Sequence, residues 1–372
     1  MISRLKVAVG LLLGLLCACT VAGAQNAHLI SCPARERRLY LDVYQFTEPG
    51  DWLHRMHHWV NVYCGDGTTP VAALTDGIKN FASQIEYDDF RNLYVSDYTG
   101  EFDGDPNPNA FLIYDRYGRL VRRVLVPGYI RAFVTNRRSG ENFIFYSPNE
   151  HSERIMTVGG NPPHVLGNYR VSPKAGFVLQ PELVTSDIIL YQDMYGMSIR
   201  ALYAKTGAML GMNARNVRAF FIGRDHTVYA RAYVPAHYDN PLTRPRGIVR
   251  VYDPRDLHLL RSFRIPSRGF RDAGPIATSV DGTIALALGR SRTISIYGPR
   301  AKKPTVVIRD ISHVDELAFD TNDSLYVLDS RRSRFGPAGV YVFKAGTARI
   351  LREYTVGKFQ GVGDMAIIPG RR

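Results

Sequence analysis

Past residue 24 the chain shows no long hydrophobic period of 3.6 residues. It shows short runs of alternating, β-branched and aromatic residues, each closed by Gly, Asp, Asn or Pro. That pattern predicts many short strands joined by turns. One run recurs almost unchanged: Asn92-Leu93-Tyr94-Val95-Ser96-Asp97 and Ser324-Leu325-Tyr326-Val327-Leu328-Asp329. Weaker copies stand at 187–191, 227–230 and 283–286. Most follow a polar turn, as in Asp88-Asp89-Phe90-Arg91, Gly223-Arg224-Asp225-His226, Asp281-Gly282 and Asp320-Thr321-Asn322-Asp323. Asp, Asn and Gly suit such turns because they tolerate positive φ or cap the turn with a side chain. A third and a fourth strand follow across a second short turn. They lie at 111–114 and 120–126, at 249–252 and 257–265, and at 340–343 and 348–356. Each repeat therefore reads as a four-stranded antiparallel meander.

Six such repeats begin near residues 80, 130, 177, 217, 274 and 314. Their lengths, roughly 40 to 57 residues, match propeller blades. One strand is left over at 363–369 and three at 38–45, 59–64 and 71–75. Joined, they complete a seventh blade, and pairing the chain ends protects the edges a ring would otherwise expose. The expected fold is all-β, a seven-bladed β-propeller closed by one C-terminal and three N-terminal strands. A six-bladed ring with the N-terminal strands packed outside it is the alternative. The repeated strand resembles the NHL and YVTN-type propeller repeats, where Leu-Tyr-Val-Ala/Thr-Asp/Asn follows a turn rich in Asp, Gly and Asn. That resemblance implies the fold; it carries over no catalytic set.

The first 24 residues change the compartment. Arg4 and Lys6 precede an apolar run, 7–18, and then Ala22-Gly23-Ala24, as in an export signal ahead of one propeller domain at 25–372. A second reading stays open: Leu16-Cys17-Ala18-Cys19 resembles a lipoprotein box, with a lipid anchor at Cys19. No other stretch is long and apolar enough to be a transmembrane helix. The expected location is periplasmic or secreted, or membrane-anchored if Cys19 is lipidated. Cys32 and Cys64, the two cysteines beyond the signal, then suggest one disulfide. At 45% hydrophobic and 11% aromatic, the chain can build a large core, which excludes a disordered protein.

Charge points toward anions. The net charge is +13, from 47 basic and 34 acidic residues, and losing Arg4 and Lys6 leaves 45 against 34, or +11. A meander sends the connections after its second strand, and the links between blades, to one face. The long connections 46–58, 98–109, 235–246 and 330–339 therefore share a face, where binding residues usually sit. In blades four to six that face carries Arg244 and Arg246, then Arg268 and Arg271, Arg290 and Arg292, and finally Arg331, Arg332 and Arg334. Guanidinium groups bind carboxylate, phosphate and sulfate through paired hydrogen bonds. Tyr98 and Tyr238 on the same connections offer faces for stacking on sugars. The expected partner is an anionic glycan, a glycolipid or an envelope protein, with no natural nucleic acid.

Catalytic signals are sparse. His237 with Tyr238 has the residue types of an acid–base lyase acting on an acidic polysaccharide. Asp315, Glu316 and Asp364, at the starts of first strands, are candidate ligands for Ca²⁺, as in a metal-assisted hydrolase or lactonase. His54, His57 and His58 form a second metal candidate, but their spacing matches no zinc pattern. The alternative for Asp97 and Asp329 is local capping of their own loops. With no coherent catalytic set, no cofactor is expected, and a non-catalytic binding or scaffold propeller is the leading expectation, with the enzyme as the alternative.

Overall fold

Strand-forming side chains dominate the repeat, and the tight turns supply the punctuation. Arg91, His226 and Asp323 adopt left-handed φ of 70°, 60° and 59°, and Gly282 one of 85°, each at the same place in its turn. The first turn residue then caps the fifth: Asn92 N–H donates to Asp88 (2.8 Å), Thr283 N–H to the Ser279 hydroxyl (3.1 Å) and Ser324 N–H to Asp320 (2.9 Å). These caps fix the reversal from the first strand of a blade to the second.

The structure, a computed structural model, describes residues 30–369 except 34, 47–55, 80, 99–108, 150–151, 173–177, 194–196, 224–225, 235–245, 266–272, 289–291, 312, 331–336, 345 and 358–359. The N-terminal strands are β1 (Arg38–Phe46), β2 (Met56–Cys64) and β3 (Ala72–Leu74). Blade 1 comprises β4 (Phe81–Tyr87), β5 (Leu93–Tyr98), β6 (Ala110–Tyr114) and β7 (Leu120–Leu125). Blade 2 is β8 (Tyr129–Asn136), β9 (Glu141–Asn149), β10 (Ser152–Gly159) and β11 (His164–Arg170). Blade 3 is β12 (Val178–Leu183), β13 (Ile188–Asp193), β14 (Ser198–Tyr203) and β15 (Met209–Arg215). Blade 4 is β16 (Val217–Ile222), β17 (Val228–Val234), β18 (Arg246–Tyr252) and β19 (Leu259–Arg264). Blade 5 is β20 (Ala273–Thr278), β21 (Ile284–Leu288), β22 (Thr293–Tyr297) and β23 (Val306–Arg309). Blade 6 is β24 (Val314–Phe319), β25 (Leu325–Asp329), β26 (Gly339–Phe343) and β27 (Ile350–Thr355), and β28 (Gln360–Ile368) ends the order. No helix occurs among the described residues.

The seventh sheet runs β28-β1-β2-β3, so one C-terminal and three N-terminal strands close a seven-bladed ring. The six-bladed alternative is excluded. β28 pairs antiparallel with β1 from Arg38↔Ile368 to Gln45↔Gln360. Cys32 and Cys64 are bonded, which staples the segment entering β1 to the end of β2. Ile30 N–H donates to Tyr117 O of blade 1 (2.9 Å), so the chain ahead of β1 is held as well.

The core is a set of seven apolar seams, one between each pair of adjacent blades. Middle strands are covered on both faces, and β6, β21, β22 and β25 are buried at every residue. That is why their sequences are continuous apolar runs rather than alternations. Outer strands such as β19 and β27 are mostly exposed and carry Arg261 and Arg352, charges that discourage edge-to-edge pairing. β28 serves two seams at once: Ala366 and Ile368 face blade 1, and Val362 and Met365 face blade 6.

Candidate functional site

The links from second to third strands, and from each blade to the next, all leave from one face. Residues 47–55, 99–108, 235–245 and 331–336 belong to these links, as do 266–272 and 289–291. His54, His237, Tyr238, Arg244, Arg268, Arg271, Arg290, Arg331, Arg332 and Arg334 lie outside the described residues. The strand ends on either side of their links sit on this face, in the closing blade for His54 and in the consecutive blades 4, 5 and 6 for the others. Arg246 opens β18 opposite Val234, and Tyr98 ends β5 opposite Phe81. Arg292 is exposed, with φ of 50°, immediately ahead of β22.

The repeat's aspartate closes the second strand at this face. Asp97 is wholly buried; it accepts the Lys79 N–H at 3.3 Å and lies 3.6 Å from the Arg123 guanidinium. Asp193 pairs with Arg200 at 2.8 Å. These carboxylates tie the link from the preceding blade, or a neighbouring strand, to their own blade. At the same register, blades 4 and 5 carry Ala232, opposite Val217, and Leu288, opposite Ala273. The repeat's own acid is therefore missing in two of the three blades that bear the arginines.

The inner strands hold a second collection of charge. In all seven blades the first strand is bulged against the second, at Ala82/Gln84 in blade 1, for example, and at Val314/Glu316 in blade 6. A bulge increases twist and re-aims the side chains beside it. Here it turns polar groups onto the free edge of the next inner strand. Gln84 accepts the Phe133 N–H (2.9 Å) and donates to Phe133 O (2.8 Å), and Glu86 accepts the Thr135 N–H (2.8 Å). Asp364 accepts the Ile85 N–H (2.5 Å), and Glu316 the Met365 N–H (3.1 Å). These bonds satisfy backbone donors that no further strand covers. Arg231, completely buried, serves backbone acceptors instead, between blades 4 and 5, donating to Gly274 O (3.3 Å) and Ala287 O (3.1 Å).

Enclosure by the ring shifts these acids upward. Burial pushes Glu182 up to about 8, reinforced by the charge of Glu86. It pushes Glu86 up to about 7 against the opposing Arg137 and Thr135. Asp42, fully buried on β1, is pushed up to about 6 by burial, against the neighbouring His58. Glu316 rises well above its usual range through burial and the adjacent Asp364; Asp364 is raised by burial too. The two carboxyls are hydrogen-bonded to each other, which links their titrations. For Arg137, enclosure opposes its charge, but Tyr87, Glu86 and Glu182 outweigh it and its pKa rises. Its guanidinium lies 4.4 Å from the Tyr87 ring centre.

Of the sequence candidates for a cation, the structure brings Glu316 and Asp364 together as clasps onto neighbouring strands. Asp315 stays exposed in the bulge of β24. His57 and His58 point to opposite sides of β2, as the strand period of two requires: His57 is exposed, while His58 is buried 3.6 Å from Asp42. Among the described residues, the one trio of metal-type ligand atoms within 4.8 Å of one another is Asp253, Asp256 and His258, on the opposite, tight-turn face. Its atoms are already engaged. Asp253 holds Arg255 at 2.7 Å, and Asp256 holds His258 at 2.9 Å. Glu86, Glu182, Asp42, Arg137 and Arg231 are absent from the sequence candidates. The available signal was a lone charge inside an apolar strand run, as in Ile85-Glu86-Tyr87 or Leu41-Asp42-Val43.

This architecture defines the protein as a β-propeller. No family of known proteins matches the sequence, and no curated protein matches it. Solved structures do resemble it. The Dos1 propeller superimposes with a TM-score of 0.56 at 12% identity, over 90% of this chain and 85% of Dos1. Apo AztD from Citrobacter koseri gives 0.52 at 12% identity, over 91% and 99%, and Kluyveromyces lactis Hsv2 gives 0.51 at 12%, over 81% and 94%. At such identities the likeness is one of fold.

Proposed function

We propose that the protein is an exported, non-catalytic binding propeller whose arginine-bearing links in blades 4 to 6 take an anionic partner: an acidic glycan, the headgroup of a glycolipid or an acidic protein surface. One observation carries this reading. Nine arginines fall by sequence in links and strand starts of blades 4 to 6, the described strand ends that flank those links share one face, and the repeat's aspartate is replaced by Ala232 and Leu288 in two of the three blades. Paired guanidinium hydrogen bonds suit phosphate, sulfate and carboxylate groups. Export is supported by the signal-like first 24 residues and by the Cys32–Cys64 disulfide, with the lipid anchor at Cys19 as the other form of the same reading. The fold-level likeness to NHL and YVTN-type repeats is compatible with a scaffold that presents loops.

The test is binding of the full chain to polygalacturonate, to vesicles containing an anionic glycolipid, and to an acidic peptide, between about 50 and 300 mM salt. One of the three binds, weakening steeply with salt, and Arg331→Glu with Arg334→Glu weakens it about tenfold or more. Salt-independent binding, or binding indifferent to that reversal, overturns the reading. Turnover of a lactone or an acidic oligosaccharide, or a stoichiometric metal that chelation removes, replaces it with the enzyme.

A further inference from the structure

The face opposite the long links holds a cavity of about 420 Å³ at the junction of blades 4 and 5. Tyr229, Arg261, Asp281, Gly282, Pro299 and Arg300 line it, from β17, β19 and the two tight turns of blade 5. No single stretch of sequence announces it, because the residues meet only when the two blades pack together.

Its electrostatics are uneven. Asp281 is the acid of the lining, and its oxygens are spoken for. They accept the Ser279 hydroxyl, the Thr283 N–H (2.9 Å) and the Thr283 hydroxyl (3.1 Å), which makes Asp281 the cap of its own turn. Arg261 and Arg300 form no ion pair with any described residue. Two guanidinium groups thus share one cavity without an acid committed to either. Arg300 holds a left-handed φ of 61°, a conformation that side chains rarely adopt and that the surrounding turn enforces, with Ala301 N–H donating to Gly298 O at 2.9 Å. Lys302 and Lys303, exposed on the same turn, add positive potential.

The rest of the wall suits a ligand with a body. Tyr229 is only 1% exposed, so it forms the inner end of the cavity. A Cβ at Gly282 would meet nothing within 4 Å, which leaves open backbone that a ligand can approach closely. A cavity of this size is in the range that holds small organic ligands, about 300 to 1,000 Å³.

We propose that this cavity is a second anion site, taking a phosphate or sulfate monoester carried on a sugar-sized body. Arg261 and Arg300 grip the tetrahedral oxyanion through paired N–H donors. Tyr229 closes the inner end and Pro299 offers an apolar wall to the ring. The site does not depend on the arginine-bearing links of the other face.

The experiment titrates the full chain with glucose 6-phosphate, glucose 6-sulfate, inorganic phosphate and glucose by calorimetry at low salt. One of the two esters binds saturably, inorganic phosphate binds more weakly, and glucose gives no heat. Arg261→Gln with Arg300→Gln weakens the ester about tenfold or more, whereas Arg138→Gln, an exposed arginine on a tight turn of blade 2, leaves it within about twofold. A measurement on the unaltered chain stands beside the variants: the bound ester slows phenylglyoxal modification of Arg261 and Arg300, read by peptide mass spectrometry. No saturable binding of either ester, equal binding by the Arg261/Arg300 variant, or an equal loss with Arg138→Gln overturns the proposal. Inorganic phosphate binding as tightly as the ester overturns the sugar-sized body.

Discussion

Replacing Glu182 by glutamine should stabilise the protein in alkaline solution and do so much less in mild acid. Glu182 sits among the inner strands with its pKa pushed from the usual 4.5 up to about 8, by burial first and by Glu86 second. The folded chain therefore keeps a proton that the unfolded chain gives up near pH 4.5. Where the native state binds the extra proton, stability falls as pH rises, at 2.303RT per proton per pH unit. The fall runs from about pH 4.5 to about pH 8 and then levels off. At ~1.4 kcal/mol per pH unit, its ceiling is ~5 kcal/mol. Water at the axis and relaxation of Arg137 return part of that, which leaves about 2 kcal/mol as the working figure. For a chain of this size that is about 3 °C in Tm. Glutamine keeps the shape and removes the titration. The assay is thermal or urea unfolding of both proteins at pH 5.5, 7 and 9. The curves should differ at pH 5.5 by roughly a third of the full effect and separate progressively, with the variant more stable at pH 9. Parallel curves for the two proteins refute the reasoning, and so does a native protein that gains stability from pH 5.5 to 9.

Two further outcomes follow from ring closure. Reducing the Cys32–Cys64 bond, or replacing Cys64 by serine, frees a loop spanning 32 positions of sequence and should cost about 3 to 4 kcal/mol, seen as a lower urea midpoint with an equal or steeper slope. Deleting residues 360–372 removes β28 and with it the shared cover of two seams. The expected product lacks near-UV dichroism and a cooperative transition, and a folded monomer on size exclusion would contradict the closure.

Sequence alone carries the repeat far. Leu93-Tyr94-Val95 and Leu325-Tyr326-Val327 lie at matching places in β5 and β25, and the leftover strands at the two chain ends do form one sheet. The expected closing strand at 363–369 begins three residues late, because Gly361 and Gly363 blur its start. The inner-strand acids were harder to see. Alternation assigns Gln84 and Glu86 to a solvent-facing side, whereas a bulge turns them onto the backbone of blade 2. Bulges leave little trace in composition, so the direction of a polar side chain beyond one is hidden until the neighbouring blade is in place. The groove between blades 4 and 5 escaped for a related reason: its wall combines residues from two blades.

The sharing of one blade by both ends of the chain also orders the folding process. Blades 1 to 6 are local meanders, each able to pair its strands soon after they are made. β1 has no such neighbour along its inner edge, since its partner is the last of the ring's strands to be made. During synthesis the protein carries an unpaired strand edge that only β28 can cover, so closure is the most non-local and slowest step. It is also the step at which a second copy of β28 from another molecule competes on equal terms, which makes strand exchange at the seventh blade the natural misassembly of this ring.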